Sequence, residues 1–276
     1  MSAYRRPLAR VARVLIPGTA ALVVALSGAT PATAVANGDP VQEGHYRFAV
    51  KLTMTHIPRP DGTFYNSGCS GALIAPQWII TAGHCFHDVN RHPVSGPVPY
   101  DTVATIGKAD DASPGGHLVN VVEDYQSPYN DIAIGKLATP VFDVFPIAIR
   151  FLAPPTAGEV LRIAGWGAQS SVDPHPSTHL YTGEVSVSTV DTTQVGVVGH
   201  APHPDTSACL YDSGAPYFSE RIPGFPLLVS IESGGPDCPH SQAEDTSRAD
   251  VAARWIATTI FQHRGAAVAR PTRNKV

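Results

Sequence analysis

Three short segments of this 276-residue chain carry side chains that together can activate a hydroxyl group: Thr81-Ala82-Gly83-His84-Cys85, Asn130-Asp131-Ile132-Ala133 and Asp212-Ser213-Gly214. A serine hydroxyl is a poor nucleophile at neutral pH. Acyl transfer by serine therefore needs a histidine to take its proton and a buried carboxylate to hold the imidazole in the correct tautomer. In chain order the segments supply a base (His84), an acid to orient it (Asp131) and a nucleophile (Ser213). His84 follows Thr-Ala-Gly and precedes a cysteine, and Asp131 sits between Asn130 and an apolar run, where a buried acid would enter a cleft.

A bare Asp-Ser-Gly occurs by chance in many proteins. Here it is one of an ordered series: Cys69-Ser70-Gly71-Ala72-Leu73-Ile74-Ala75, then Trp78 to Cys85, Asp131-Ile132-Ala133-Ile134, Gly165-Trp166-Gly167, Cys209 to Pro216, Ser233-Gly234-Gly235 and Trp255-Ile256. With these residues the chain resembles a trypsin/chymotrypsin-type secreted serine protease from about Val35 to about Phe261. The resemblance implies an all-β fold of two six-stranded antiparallel β-barrels with a C-terminal α-helix. It implies disulfides Cys69–Cys85 and Cys209–Cys238, where the cysteines alone allow three pairings. The first, closing a loop of 16 residues, contributes on the order of 3 kcal/mol on the loop-entropy view. It also implies an oxyanion hole from the N–H groups of Tyr211 and Ser213, and an ion pair between the ammonium of a mature N-terminus at Val35 and Asp212.

Several positions depart from the family pattern. Tyr211 stands where a glycine is usual, and tyrosine is disfavoured there by roughly 1–3 kcal/mol if the backbone needs φ > 0. Ala215 replaces a second glycine, and Gly234 stands where a tryptophan usually walls the primary specificity pocket. That pocket is assigned to Ser207, Ser233, Gly235 and Glu244. Ser207 takes the place of the aspartate that selects lysine and arginine. Glu244 falls where a pocket glycine is usual, so it either supplies a carboxylate to the pocket or lies in solvent on a rerouted loop.

These residues need elements to hold them. Apolar and alternating runs at Phe48–Thr53, Gly71–Ala75, Trp78–Ala82, Leu118–Glu123 and Ile132–Leu137 predict a first barrel, over about residues 35–145. Runs at Val160–Ala164, Tyr181–Val190, Gln194–Val198, Ala215–Phe218 and Leu227–Glu232 predict a second, from about 146 to 263, with Pro140 to Pro155 as the crossover. Asp250 to His263 reads as a helix capped by Asp250, with Ala252, Ile256 and Ile260 on one face. His84 and Asp131 then belong to the first barrel and Ser213 to the second.

Residues 1–34 read as a secretory signal peptide: Arg5, Arg6, Arg10 and Arg13, a mostly apolar stretch from Val14 to Leu26 broken by Pro17-Gly18, and Ala32-Thr33-Ala34 before the cut. Cleavage after Ala36 would instead leave Asn37 first. Without the leader, 15 Lys and Arg face 23 Asp and Glu, a net of −8 that argues against nucleic acid or an anionic membrane as partner. The 24 Gly and 26 Pro favour β-structure with many turns. Residues 264–276 read as a basic, disordered tail. No Cys-x-x-Cys pair exists and His175, His179, His200 and His203 lie in Pro-rich loops, so no metal or cofactor is expected.

The sequence thus predicts a monomeric, extracellular endopeptidase acting on proteins or peptides and open to protein inhibitors. Tyr211, Ala215, Gly234 and Glu244 motivate a rival: a weak or inactive relative that uses the fold for binding. An esterase-like hydrolase with the same three residues is a third reading. The excess of Arg over Lys, 15 to 4, hints at a GC-rich, actinomycete-like bacterial source.

Overall fold

In a computed structural model residues 35–264 are described; the expected leader and nearly all of the basic tail lie outside these residues. The alternating and apolar runs do form strands: the longer ones, such as Ala49–Pro58, turn alternate side chains into a barrel interior, whereas Trp78–Thr81, Ala133–Leu137 and Pro216–Ser219 are buried on both faces. The first barrel comprises β1 (Ala49–Pro58), β2 (Phe64–Ala75), β3 (Trp78–Thr81), β4 (Asp101–Ile106), β5 (His117–Gln126) and β6 (Ala133–Leu137). It closes in the order β1-β2-β3-β6-β5-β4, every pair antiparallel. The second comprises β7 (Val160–Gly165), β8 (Tyr181–Val190), β9 (Gln194–Ala201), β10 (Pro216–Ser219), β11 (Leu227–Gly234) and β12 (Glu244–Arg248), closing as β7-β8-β9-β12-β11-β10.

Closure leaves no free sheet edge and encloses a filled core. Leu52, Met54, Leu73, Ile79 and Ile106 fill the first barrel; Leu161, Ile163, Val185, Val197, Tyr217 and Val229 fill the second. The expected crossover contains a two-residue strand, Ala148–Ile149, that runs parallel to the start of β11. Cys69 is bonded to Cys85 and Cys209 to Cys238.

Three details correct the sequence reading. β4 and β12 were not anticipated: β12 reads Glu-Asp-Thr-Ser-Arg, and the residues it buries are Glu244, Thr246 and Ser247, so hydropathy cannot find it. The terminal helix, α1 (Ala249–Gln262), begins one residue early and has no side-chain cap. Asp250 instead holds the Arg248 guanidinium, at 3.0 and 2.7 Å.

Candidate active site

His84 lies on a single 3₁₀ turn, Gly83–Cys85, straight after β3, and Asp131 lies two residues before β6. Because β3 and β6 are hydrogen-bonded neighbours, residues just beyond their paired ends are brought together. The backbone N–H of His84 donates to Asp131 Oδ1 at 2.8 Å, and His84 Nδ1 lies 2.7 Å from Oδ2. Ser233 Oγ donates to the same Oδ2 at 2.6 Å. Burial by itself would raise the Asp131 pKa, but the contacts from His84 and Ser233 outweigh it and hold the carboxyl below its ordinary value. An ionised Asp131 fixes the proton on Nδ1 and leaves Nε2 as the free base. Ser213, carried by the second barrel, lines one cavity of about 200 Å³ with His84 and Tyr211, and a second of about 260 Å³ with Glu232, Gly235 and Glu244.

The loop before Ser213 is held from both barrels. Ser70, fully buried on β2, donates its N–H to Ser213 O at 2.8 Å and its hydroxyl to Tyr211 O at 3.2 Å, while accepting from Trp166 N–H. Behind it the Asp212 carboxylate, also fully buried, accepts from Gly167 N–H at 2.7 Å and Cys209 N–H at 3.0 Å. Gly167 has to be glycine: a Cβ there would lie 2.3 Å from the Asp212 carboxylate. Val35, fully buried, presents its backbone nitrogen to the same group. Burial dominates, and the Asp212 pKa is pushed up to about 7.

Tyr211 adopts φ +74°, the left-handed region, so the condition under which a tyrosine there is costly is met. The N–H groups of Tyr211 and Ser213 have no acceptor among the described residues, whereas Asp212 N–H, between them, is turned away to Cys209 O. Among the described residues the loop thus offers two unpaired donors, one of them the serine's own N–H. The Tyr211 hydroxyl donates to Pro174 O at 3.3 Å.

The candidate specificity pocket differs from expectation at two residues. The Ser233 hydroxyl is on Asp131 and not in the pocket: the register of β11 against β12 slips between Glu232 and Gly234, and this bulge re-aims Ser233. Ser207 is buried behind the lining residues, its hydroxyl accepting from His240 N–H at 3.2 Å. Gly235 and Glu244 do line the cavity, and Glu244 is buried, which excludes the reading in which it is solvated on a rerouted loop. Gly234 leaves one wall open, since nothing lies within 4 Å of where its Cβ would be. Sequence reasoning missed Tyr217, Glu232 and His240, all buried around Glu244. The available signal was an acidic residue, Glu232, ending the apolar run Leu227–Ile231.

Two closed barrels joined across a His, Asp and Ser cleft define a class. The trypsin family model matches residues 35–256, and the chain belongs to that family. Among characterised proteins it is 28% identical over 225 residues to mouse transmembrane protease serine 11C, covering 74% of this chain and 48% of that protein. It is 27% identical over 205 residues to mouse serine protease 56, covering 71% of this chain and 31% of that protein. Over 141 residues it is 30% identical to snake venom serine protease KN5 of Trimeresurus stejnegeri, covering 50% and 51%. The chain thus spans about half or less of the length of the relatives it matches. These relatives are mammalian and reptilian and give no support to a bacterial source. Among the described residues no helix is long and apolar enough to cross a membrane.

Proposed function

We propose that this chain is a secreted serine endopeptidase that cleaves peptide bonds through an acyl-enzyme on Ser213. The observation that carries the reading is the Asp131 carboxylate, held by three donors and pairing with His84 Nδ1 beside the Ser213 cleft. Asp131 orients the imidazole and stabilises its cation. His84 Nε2 takes the Ser213 proton as Oγ attacks the scissile carbonyl, then returns it to the leaving amine. The N–H groups of Tyr211 and Ser213 receive the charge that develops on the carbonyl oxygen, and removing one such donor typically costs about 10²–10³ in kcat. Ser233 is a positioning residue that acts through Asp131.

In this reading the buried Glu244 makes the primary pocket select lysine or arginine, replacing the charge absent at Ser207. Leader removal exposes Val35 as the N-terminus. The intact set of three residues and the two unpaired N–H groups weigh against a binding module without activity, which needs neither.

The test is labelling by a peptidyl phosphonate followed by turnover of matched peptide and ester substrates. The parent is expected to label stoichiometrically and to cleave the peptide, while Ser213→Ala, still folded, neither labels nor turns over above several orders of magnitude below the parent. Equal labelling of both forms would remove Ser213 from the mechanism, and ester turnover without peptide turnover would favour an esterase.

A further inference from the structure

Tyr217 is a core residue of the second barrel, and its phenol must find a partner there. It finds two. The hydroxyl lies 2.9 Å from Glu232 Oε2 and 2.5 Å from Glu244 Oε1. Strands β10, β11 and β12 are adjacent in the barrel, so Tyr217, Glu232 and Glu244, one from each, converge: the two glutamates line the cavity that Ser213 also lines, and the Tyr217 hydroxyl bridges them from behind. A phenol has one proton and can donate to only one carboxylate; the other contact needs a proton from the carboxyl itself.

The surroundings decide which. Glu244 also faces Ala208 N–H, at 3.1 Å, and the ring of His240, whose Nε2 is 3.5 Å from Glu244 Oε2. The Glu232 carboxyl has no partner except Tyr217 among the described residues. Glu232 is therefore the neutral acid, donating to Tyr217, which donates to an ionised Glu244. Burial, with Glu244 nearby, moves the Glu232 pKa far above its ordinary value, in agreement with this proton placement.

His240 completes the group. Its Nδ1 lies 3.1 Å from Gln242 O, a carbonyl that only accepts, so Nδ1 carries a proton. Nε2 then faces the Glu244 carboxylate without a hydrogen-bond partner of its own unless it too is protonated. Glu244 correspondingly raises the His240 pKa against the opposing effect of burial. Gly235 keeps this group open to the cavity: a Cβ there would lie 2.7 Å from the Glu244 Cβ and 3.4 Å from His240 Nε2.

Building on the protease reading, we propose that the pocket floor holds one negative charge, on Glu244, for which His240 and an incoming basic side chain compete. The selectivity for lysine or arginine is then set by pH. With His240 protonated the floor is internally neutral and a cation gains little by entering. Once His240 is neutral, Glu244 is left for the substrate, and binding of a cation at lower pH expels the His240 proton. The other ionisable groups around the floor are Asp237, which lines the same cavity, and Asp212 and Asp245, whose charges act on Glu232, together with Tyr217 and Glu232 themselves. All are acids; the one further cation of the protease reading, the Val35 ammonium, is held by Asp212 and so is not offered to Glu244.

The experiment is calorimetric titration with benzamidine, a cation that reports on the pocket without chemistry, from pH 5 to 8 in buffers of different ionisation enthalpy. For the parent, affinity is expected to weaken by up to tenfold per pH unit on the acid side of the His240 transition, with release of up to one proton per ligand. H240Q should remove that release and flatten the profile. E244Q should weaken binding at least thirtyfold at pH 8, and E232Q, which exchanges one neutral group for another, by only severalfold. A parent profile that is flat and releases no proton overturns the proposal without recourse to any variant. So does a loss in E232Q as large as that in E244Q, since Glu244 would then not carry the floor's charge alone, and a larger loss in E232Q would place that charge on Glu232. Phosphonate labelling of Ser213 on the same samples shows separately whether the protease reading stands.

Discussion

Tyr211 combines an unfavourable conformation with a useful one. At φ +74° an L side chain meets its own backbone, at a cost of roughly 1–2 kcal/mol relative to glycine. The conformation persists because Ser70 holds the Tyr211 carbonyl from the first barrel, the Tyr211 hydroxyl holds Pro174 O, and the Cys209–Cys238 bridge and Asp212 fix the loop on either side. Strain over-determined in this way lowers stability and leaves the N–H groups in place. We therefore expect Tyr211→Gly to change kcat/KM on a small peptide by less than tenfold. Tyr211→Ala, which keeps the strain and loses the ring, should be less stable than Tyr211→Gly by about 1 kcal/mol in urea unfolding. Since the ring lines the cleft beside His84, both variants should bind a rigid protein inhibitor more tightly than the parent. A gain in kcat/KM of two decades or more in Tyr211→Gly would instead mean that the natural loop loses an oxyanion donor.

At the scale of elements, the segment from Val35 to Gly38 behaves as a plug for the second barrel. Val35 and Ala36 are fully buried, Ala36 O accepts from Ser207 N–H, and Asn37 O accepts from the Thr206 hydroxyl. With an amide nitrogen at Val35, Asp212 is a buried acid with its pKa at about 7. An ammonium there would convert it to a paired carboxylate, and breaking one side of a buried pair costs roughly 3–5 kcal/mol. The N-terminal amine would have a raised pKa in the folded state. Its contribution is therefore complete below the unfolded value near 8 and lost as pH rises through the folded one. The expected outcome is that protein beginning at Val35 is more active and more stable at pH 7 than protein beginning at Asn37, by N-terminal sequencing, active-site titration and thermal unfolding of each form. Equal activity of the two would refute the Val35–Asp212 pair.

For the molecule as a whole, pH couples to stability through acids that the barrels bury. Asp124 on β5 is fully buried, has one oxygen without a partner and the other 3.5 Å from Gln126 Nε2, and burial pushes its pKa up to about 8. A carboxyl raised in the folded state binds its proton more tightly there than when unfolded. Stability is therefore full below pH 4, falls as pH rises toward 8 and stays lowered above that. Asp124→Asn, which keeps the shape and removes the charge, should gain on the order of 2 kcal/mol at pH 9 and little at pH 4. Chemical unfolding at the two pH values checks this, and an equal effect at both would show that Asp124 does not titrate on folding.

The sequence by itself singled out His84, Asp131 and Ser213 as the candidates for chemistry, the barrel strands whose apolar side chains alternate, and Tyr211 as the place where a positive φ would be costly. Those are local properties: a motif, a period and a residue type each speak for themselves. The tertiary structure decided what depends on who faces whom. A bulge between Glu232 and Gly234 took Ser233 out of the pocket and onto Asp131, with no sign in the residues Ser-Gly-Gly. A strand of five polar residues, Glu244–Arg248, closed the second barrel through backbone pairing to β9 and β11, which no hydropathy pattern encodes. Its first residue then met Tyr217, Ala208 N–H and His240, contributed by three other segments of the chain. Whether a glutamate is a surface charge or the floor of a pocket depends on partners distant in sequence, and only closure of the barrel brings those partners within hydrogen-bond reach.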